Sequence, residues 1–474
     1  MSLTQPHPDY LTFLHAWRLW RDAYAGEEAV KARGEAALPR PAGMKKPKQY
    51  AEYKLRATWY GATTRTVDGV LGLGFRQAPE IQAPDALQPI MDDATLGGIS
   101  LVLLAESQAR EQLLMGRTGV LVDYDDLGAR PYCRAYVTED ILNWRREQRG
   151  AQVVTTLVVL REREETARGA YPADTYFVPQ VAVRYRVLRL NEAGLYEVSL
   201  WEQTQAGRGA MPATVARLST TVPVRLGEPL TTIPFFTAPN LHVQSSPLDG
   251  LIRANYAHYR HSADYEHGLH LTALPTPWVT GFEDDGTELL IGSQAAWTIT
   301  NPDARVGMLE FQGSGLTPHE HALEQDLKNM ATLGSRLLET TPTTQETATV
   351  VLLRSAGNDA PLQTLLRQVS AQMTTVLRWL AWWQGLTDDL TDPALHLTIS
   401  TDLQTATMAP QLLHELVIAW QAGGMSFATF YEQLRQGELT RAGVDALTEQ
   451  DMILVERAAR GLVRQPVATN GQGT

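Results

Sequence analysis

Only one cysteine, Cys133, occurs in 474 residues. An internal disulfide is excluded, and a zinc site built from several thiolates is excluded with it. The lone thiol is expected as a small buried strand residue, in a chain suited to a reducing compartment. No uninterrupted run of about 18 apolar residues exists, so no segment is expected to cross a membrane. Met1-Ser2-Leu3-Thr4 has neither the basic region nor the apolar core of a secretory leader. Positive charge is also short: 41 Lys and Arg stand against 53 Asp and Glu, a net charge of −12. A protein that grips duplex DNA through its phosphates is normally basic, although net charge does not exclude a local basic patch.

Catalytic motifs are lacking too. In Gly116-Arg117-Thr118-Gly119 the glycines leave a helix and enter a strand, the reverse of a phosphate loop, so a turn is expected. Glu139 and Asp140 precede a sheet and read as solvent-facing turn carboxylates, not as a glycosidase pair. Glu283-Asp284-Asp285-Gly286 lacks the alternating ligands and terminal Glu of a calcium loop. No enzyme activity, no cofactor and no bound metal are expected.

What is present is an ordinary globular composition, 44% hydrophobic, on a chain long enough for two to four subdomains. Residues 9–33 predict an amphipathic helix broken near Gly26, followed by a Gly/Pro/Lys loop at 34–49. A long helix is expected at 48–71, and a second helical region at 86–116 with a break at Gly97-Gly98. Thr118 to Tyr124 reads as a short buried strand. Residues 131–236 are β-rich, with Gly, Asn and Pro between the runs, and predict an antiparallel sheet. Its charged run Arg161-Glu162-Arg163-Glu164-Glu165 reads as a solvated hairpin end. The fold class is therefore α+β.

Residues 247–390 carry the most distinctive order. A helix is expected at 247–271, with Arg253, Arg260, Asp264 and His267 on its polar side. Seven of the eleven histidines lie between His242 and His321. His258/His261 and His267/His270 are i,i+3 pairs, and with Glu266 or Asp264 they define an alternative: a metal-binding or hydrolytic enzyme. The spacing is not the i,i+4 pair of zinc proteases, so packing at a helix–helix interface is the preferred reading. Short strands are expected at Trp278 to Gly281, Leu289 to Ile291 and Trp297 to Ile299. Thr317-Pro318-His319-Glu320 is a capping box opening a second helix, with the apolar line Leu323, Leu327, Met330, Leu333 or Gly334, and Leu337. A polar loop follows at Thr340-Thr341-Pro342-Thr343-Thr344. A third helix should start near Glu346, be interrupted at 357–361, and continue bent along the heptad seam Leu362, Leu366, Val369, Met373, Val376, Leu380, Trp383. A strand-like His396-Leu397-Thr398-Ile399 and three further helices follow, one from Pro410 and two at 427–435 and 449–462, the last two capped by Ser426 and Thr448. The tail from Gln465 is polar.

Taken together, this order resembles the portal proteins, or head–tail connectors, of tailed bacteriophages. The resemblance covers most of the chain. It rests on Tyr50-Ala51-Glu52-Tyr53-Lys54-Leu55-Arg56-Ala57 running into Thr64-Arg65-Thr66-Val67-Asp68-Gly69-Val70-Leu71-Gly72, and on Leu113-Leu114-Met115-Gly116-Arg117-Thr118-Gly119-Val120-Leu121-Val122-Asp123-Tyr124. Asp140-Ile141-Leu142-Asn143-Trp144, Ile233-Pro234-Phe235, Asn255 to Asp264, Glu346-Thr347-Ala348-Thr349 and Gly423-Gly424-Met425-Ser426 add to it. The resemblance implies a homo-oligomeric ring, typically of twelve subunits, at one capsid vertex of a virion assembled in the host cytoplasm. Double-stranded DNA would pass through it without sequence specificity during packaging and ejection. The implied partners are the terminase large subunit, a tail adaptor, and the major capsid and scaffolding proteins, with no membrane.

The implied parts are a wing (1–246), a first stem helix (247–271), a clip (272–316), a second stem helix (317–339), a tunnel loop (340–349), a long wing helix (350–386) and a crown (387–474). The tunnel loop would bring Thr340, Thr341, Pro342, Thr343, Thr344, Gln345 and Glu346 to the channel. The stem would contribute Arg253, Arg260, Asp264, His267, Glu324 and Lys328. Docking at the clip would fall to Trp278, Glu283, Asp284, Asp285 and Trp297.

Overall fold

The computed structural model describes residues 3–125, 127–165, 181–203, 215–272, 276–281, 301–309, 315–334, 348–401, 410–436, 439–440 and 444–459. The fold is α+β. Its contacts divide it into two units: residues 1–72 with 81–398, and residues 73–80 with 399–474.

Apart from residues 73–74 of α4 and Glu80 of β1, which group with the second unit, the first unit runs through α1 (Pro8–Ala25), α2 (Glu27–Ala32), α3 (Pro47–Arg56), α4 (Ala62–Gly74), β1 (Glu80–Gln82), α5 (Gln88–Asp92) and α6 (Leu101–Met115). Strands β2 (Thr118–Asp125), β3 (Arg130–Tyr136), β4 (Ile141–Arg149), β5 (Gln152–Glu165), β6 (Val181–Leu190), β7 (Tyr196–Gln203) and β8 (Val215–Thr221) follow. The small strands β9 (Val224–Arg225) and β10 (Glu228–Pro229) precede β11 (Phe235–Ala238). Then come α7 (Asp249–Thr272), β12 (Thr276–Thr280), β13 (Arg305–Leu309), α8 (Leu316–Gly334), α9 (Ala348–Trp383) and β14 (His396–Thr398).

The break near Gly26 occurs where expected, because Gly26 adopts φ 98°, which side-chain-bearing residues avoid. α1 buries Tyr10, Trp17, Trp20 and Ala23 on one side. The single helix expected at 48–71 is instead two, α3 and α4. Ala57 is extended (φ −59°, ψ 133°), and backbone groups of Thr58, Tyr60 and Thr63 bond to side chains of α7. The Thr58 amide donates to Ser262 Oγ (3.1 Å), and Asn255 Nδ2 donates to the Tyr60 carbonyl (2.7 Å). Long-range hydrogen bonds thus replace the helical ones, a choice no local pattern reveals.

β2 lies between β3 and β11 in an antiparallel three-stranded sheet, and Cys133 is buried in it opposite Val122, as expected. Gly116-Arg117-Thr118-Gly119 is the expected turn. Gly116 ends α6 in the left-handed conformation, and a Cβ at Gly119 would stand 2.4 Å from the Phe235 ring. β4 to β8 form a five-stranded antiparallel meander in sequence order.

Two charged segments depart from expectation. Trp144, in the strand that follows Glu139 and Asp140, is a buried residue of β4. Glu139 and Asp140 occupy a short 3₁₀ turn but are mostly buried, and each is held by arginine. Glu139 takes Arg21 (2.6 Å) and Asp140 takes Arg161 (2.7 Å). The run Arg161 to Glu165 does lie at the end of the β5–β6 hairpin, paired residue by residue with β6 as far as Glu165 opposite Val181, but it is not solvated throughout. Its Glu162 is buried, bonded by Arg186 Nε (2.7 Å) and by the Tyr136 hydroxyl. Strand alternation sends Glu162 and Glu164 to one face, where Arg134, Arg184 and Arg186 await them.

α9 is the main brace of this unit. The expected interruption at 357–361 is absent: the helical backbone runs through it for 36 residues. Pro361 forfeits one hydrogen bond at about 3 kcal/mol. The buried run Leu362, Leu366, Val369, Met373, Val376 and Leu380 outweighs that at roughly 1.5–3 kcal/mol per side chain. Leu365, Leu377, Trp379 and Ala381 are buried too, so the seam is a broad core face rather than a coiled-coil stripe.

The second unit holds α10 (Pro410–Gln421), α11 (Phe427–Gln436) and α12 (Ala446–Ala459). Trp420 stacks on Phe430 at 4.8 Å between ring centres. Ser426 caps α11 as expected, accepting from the Thr429 amide (3.1 Å). α12 starts earlier than expected: Asp445, not Thr448, is its cap, accepting from the Thr448 amide (2.7 Å).

Candidate functional site

α7 and α8 form an antiparallel pair. Gly250 faces Leu333, Leu251 faces Gly334, His261 bonds Asp326, Tyr265 bonds Glu320, and Gly268 faces Leu316. Glycine at both ends sets the close approach. A Cβ at Gly268 would lie 2.7 Å from Leu316 Cδ2, and one at Gly334 would lie 3.0 Å from Leu251 Cδ2 of α7 and 2.8 Å from Thr66 Oγ1 of α4. A helical glycine costs about 1 kcal/mol relative to alanine, so its place here is explained by packing.

The first half of α7 is set into the surrounding helices. Trp20 Nε1 donates to Asp249 (2.8 Å), and the Tyr256 hydroxyl donates to the Leu19 carbonyl (3.3 Å). Trp59 meets Tyr256 and Tyr259 edge-on. Beyond Ala263 no residue of α7 is buried. There the strand pair β12–β13, lying in sequence between the two helices, continues the structure. Trp278 is in β12 as expected, and its ring rests on Gly307 of β13, the residue opposite it. No strand was expected at 305–309. Glu283, Asp284, Asp285 and Trp297 lie outside the described residues. So do Thr340, Thr341, Pro342, Thr343, Thr344, Gln345 and Glu346.

The six residues of the expected stem face do not share one surface. Arg253 is exposed and paired with Asp249 (2.7 Å). Arg260 donates to the Ala37 carbonyl (3.1 Å). Asp264 accepts from the Tyr53 hydroxyl (2.6 Å), and the His267 ring meets the Tyr53 ring edge-on. Those three bind α7 to the neighbouring segments, whereas Glu324 and Lys328 are exposed on α8. The apolar line expected on α8 is met in part, at Met330 and Gly334. Asp326, Met330 and Gly334 are buried, while Leu327 and Leu333 are 38% and 53% exposed. The helix is rotated because Asp326 must reach His261, at 2.7 Å. α8 begins at Leu316, a residue before the expected cap at Thr317. Sequence reasoning missed Tyr53, Asn255 and Ser262. Asn255 and Ser262, polar residues within the apolar positions of α7, were their only signal.

The histidines diverge. His258 is buried against Tyr60, His261 is on Asp326, His267 is on Tyr53, and His270 is exposed. Among the described residues no group of three or more His, Cys, Asp or Glu is placed to hold a metal ion. Burial pulls the pKa of both His258 and His267 down, and Nδ1 of each has no partner among the described residues. For His258, Asp326 pulls the other way and His261 adds to the burial effect. The fold therefore prefers neutral rings. Their contribution is complete above the unfolded value of 6.5 and is lost as pH falls through the lower folded values. The thermal midpoint should drop between about pH 7.5 and about pH 5.5, and His258→Gln should flatten that drop. Identical pH profiles for the two proteins would remove His258 from the account.

A family profile described as a domain of unknown function, DUF4055, matches residues 247–384. Among solved structures, the chain is similar to one from the neck of an empty gene transfer agent particle computed with C6 symmetry. That match has 14% identity, covers 85% of this chain and 97% of the other, and has a TM-score of 0.37. It is also similar to a chain from the virion of a native gene transfer agent particle, at 13% identity, 86% and 98% coverage and a TM-score of 0.38. A third similar chain comes from the neck of the native particle computed with C12 symmetry, at 14% identity, 85% and 98% coverage and a TM-score of 0.36. No curated protein matches this chain.

Proposed function

We propose that the chain is the subunit of a phage-type portal: a non-enzymatic ring at a capsid vertex through which double-stranded DNA enters and leaves. The observation that carries this reading is the antiparallel pair α7–α8 with a β insert between them and the long helix α9 after them. The first half of α7 is anchored and its second half extends toward the insert, which suits a wall element rather than a pocket. Leu271, Leu327 and Leu333 are exposed on the pair, apolar surface that a neighbouring copy in a closed ring would cover. A net charge of −12 suits DNA that slides rather than sticks. In this reading the insert is the docking end for motor and tail proteins, and residues 340–349 face the channel.

Imaging of the purified full chain tests it. Twelve copies of the 52.4 kDa chain make a particle of roughly 0.6 MDa with a central hole. A monodisperse monomer, or a closed dimer, sinks the reading.

A further inference from the structure

An open cleft of about 420 Å³ lies beside the edge strand β4, far in sequence from the helix pair. His7, Trp144, Arg145, Arg146 and His242 line it. Its charge is one-sided. The side chains of Arg145, Arg146 and His242 make no hydrogen bond or ion pair with other described residues. Behind Trp144 lies Arg117, whose guanidinium donates only to the carbonyls of Leu241, Thr138 and Ile141, so carbonyl dipoles and no contacting carboxylate answer its charge. Asp9 stands 3.7 Å from His7 Nδ1, and Glu111, Asp9 and Glu139 act on Arg117 through space without bonding it. In a chain of net charge −12, Arg145, Arg146 and His242 side by side without a bonded carboxylate among the described residues need a reason.

The cleft also holds donors. His7 is the N-cap of α1, so the positive end of an 18-residue helix points there. His7 Nδ1 accepts from the Asp9 amide (3.1 Å), which puts the ring proton on Nε2 and makes that nitrogen a donor. Trp144 decides between a base and a phosphate. One face of its ring is stacked by His7 at 4.0 Å and 15°, the other by Arg117 at 4.4 Å. With both faces taken, no aromatic platform is left for a nucleobase. What the cleft offers is positive charge and N–H donors, the chemistry that holds a tetrahedral oxyanion.

We propose that this cleft is a phosphate-binding site, with Arg145 and Arg146 as its principal ligands. The phosphate is either a free ion or the backbone of nucleic acid bound without sequence preference. The proposal is independent of ring formation.

Two probes on the full-length protein separate the sources: a fluorescein-labelled mixed-sequence duplex followed by polarisation over a salt series, and inorganic phosphate or pyrophosphate followed by thermal shift. Arg145→Ala/Arg146→Ala should weaken duplex binding about tenfold or more at low salt. It should also lower the slope of log affinity against log salt by about two, one for each lost contact. Lys48→Ala, an exposed cation elsewhere, should change neither. Duplex binding unchanged, with the thermal response to inorganic phosphate lost, assigns the site to free phosphate and also supports the proposal. If the double variant matches the parent with both probes, the proposal is overturned. His7→Gln supplies a second check, with a smaller loss in the same direction. Particle mass, read in parallel, reports on the ring reading alone.

Discussion

Replacing Arg186 by methionine is expected to destabilise the first unit by about 3–5 kcal/mol, the cost typical of removing one partner from a buried ion pair. Arg186 is a shared cation. Its Nε bonds Glu162 Oε1 at 2.7 Å, and its NH1 reaches Asp123 Oδ2 at 3.2 Å. Glu162, whose side chain is only 1% exposed, would keep the Tyr136 hydroxyl and an ion pair with Arg134 at 3.2 Å that lacks hydrogen-bond geometry. Asp123 would keep the Tyr124 amide at 3.0 Å and a long contact from Tyr132. Burial already raises the Asp123 pKa, and Arg186 is the strongest influence opposing that rise. Without Arg186 it climbs further. A carboxyl with a raised folded pKa contributes stability below its unfolded pKa, and that stability is lost as pH rises through the folded value. The deficit of the variant should therefore shrink on acidification from about pH 7 to about pH 5. Arg186→Lys should recover only part, because one ammonium cannot serve two carboxylates in fixed directions. Urea midpoints followed by tryptophan fluorescence measure all three proteins. A loss under about 1 kcal/mol for the methionine variant would show that Arg134 and the tyrosines suffice.

This network also marks the limit of what a single sequence reveals. In Arg161-Glu162-Arg163-Glu164-Glu165 the alternation was readable, and so was the alternation Arg184-Tyr185-Arg186 on the strand that pairs with it. What was not readable is that the two runs face each other, since a charge run looks solvated until its partner is known. The same holds for Ala57 to Gly61. Local propensity continues a helix there, and Asn255 and Ser262, almost 200 residues later, stop it. Where burial alone decides, the pattern sufficed. The seam from Leu362 to Leu380, the break at Gly26, the β-rich run after Arg130 and the two helices around the insert are where periodicity places them. α8 shows both outcomes at once: its existence follows from its cap and period, but its rotation follows from the pair His261–Asp326. Of the candidate site, the helix order was legible. Which face of each helix is free was not, because that depends on contacts to α3, α4 and the loop before them.

Arg117→Leu should cost about as much as losing Arg186, for a different reason. Arg117 is fully buried, and burial lowers its pKa because no carboxylate bonds it. Removing the charge relieves that strain, so a gain must be set against the losses. The losses are larger. The carbonyls of Leu241 (3.1 Å) and Ile141 (3.2 Å) each lose the guanidinium as donor, at about 1–3 kcal/mol each, whereas that of Thr138 (3.1 Å) loses it but keeps the Ile141 amide. The planar group is also sandwiched between Trp144 and Trp17, at 4.4 and 5.6 Å, and a branched aliphatic chain cannot fill that slot. We expect a net loss of about 3 kcal/mol, with Arg117→Lys no better, since an ammonium keeps the buried charge but not the flat fork. Three segments meet on this one side chain: the turn at Thr138, the start of β4, and Leu241 before α7. Its loss should therefore loosen the anchorage of α1 through Trp17 and tilt Trp144 away from His7. The expected result is a lower unfolding midpoint together with a changed tryptophan emission in the folded state. Phosphate or duplex binding at the β4 cleft should weaken in parallel. A destabilised Arg117→Leu protein that still binds either probe like the parent would show that Trp144 holds its position without the guanidinium behind it.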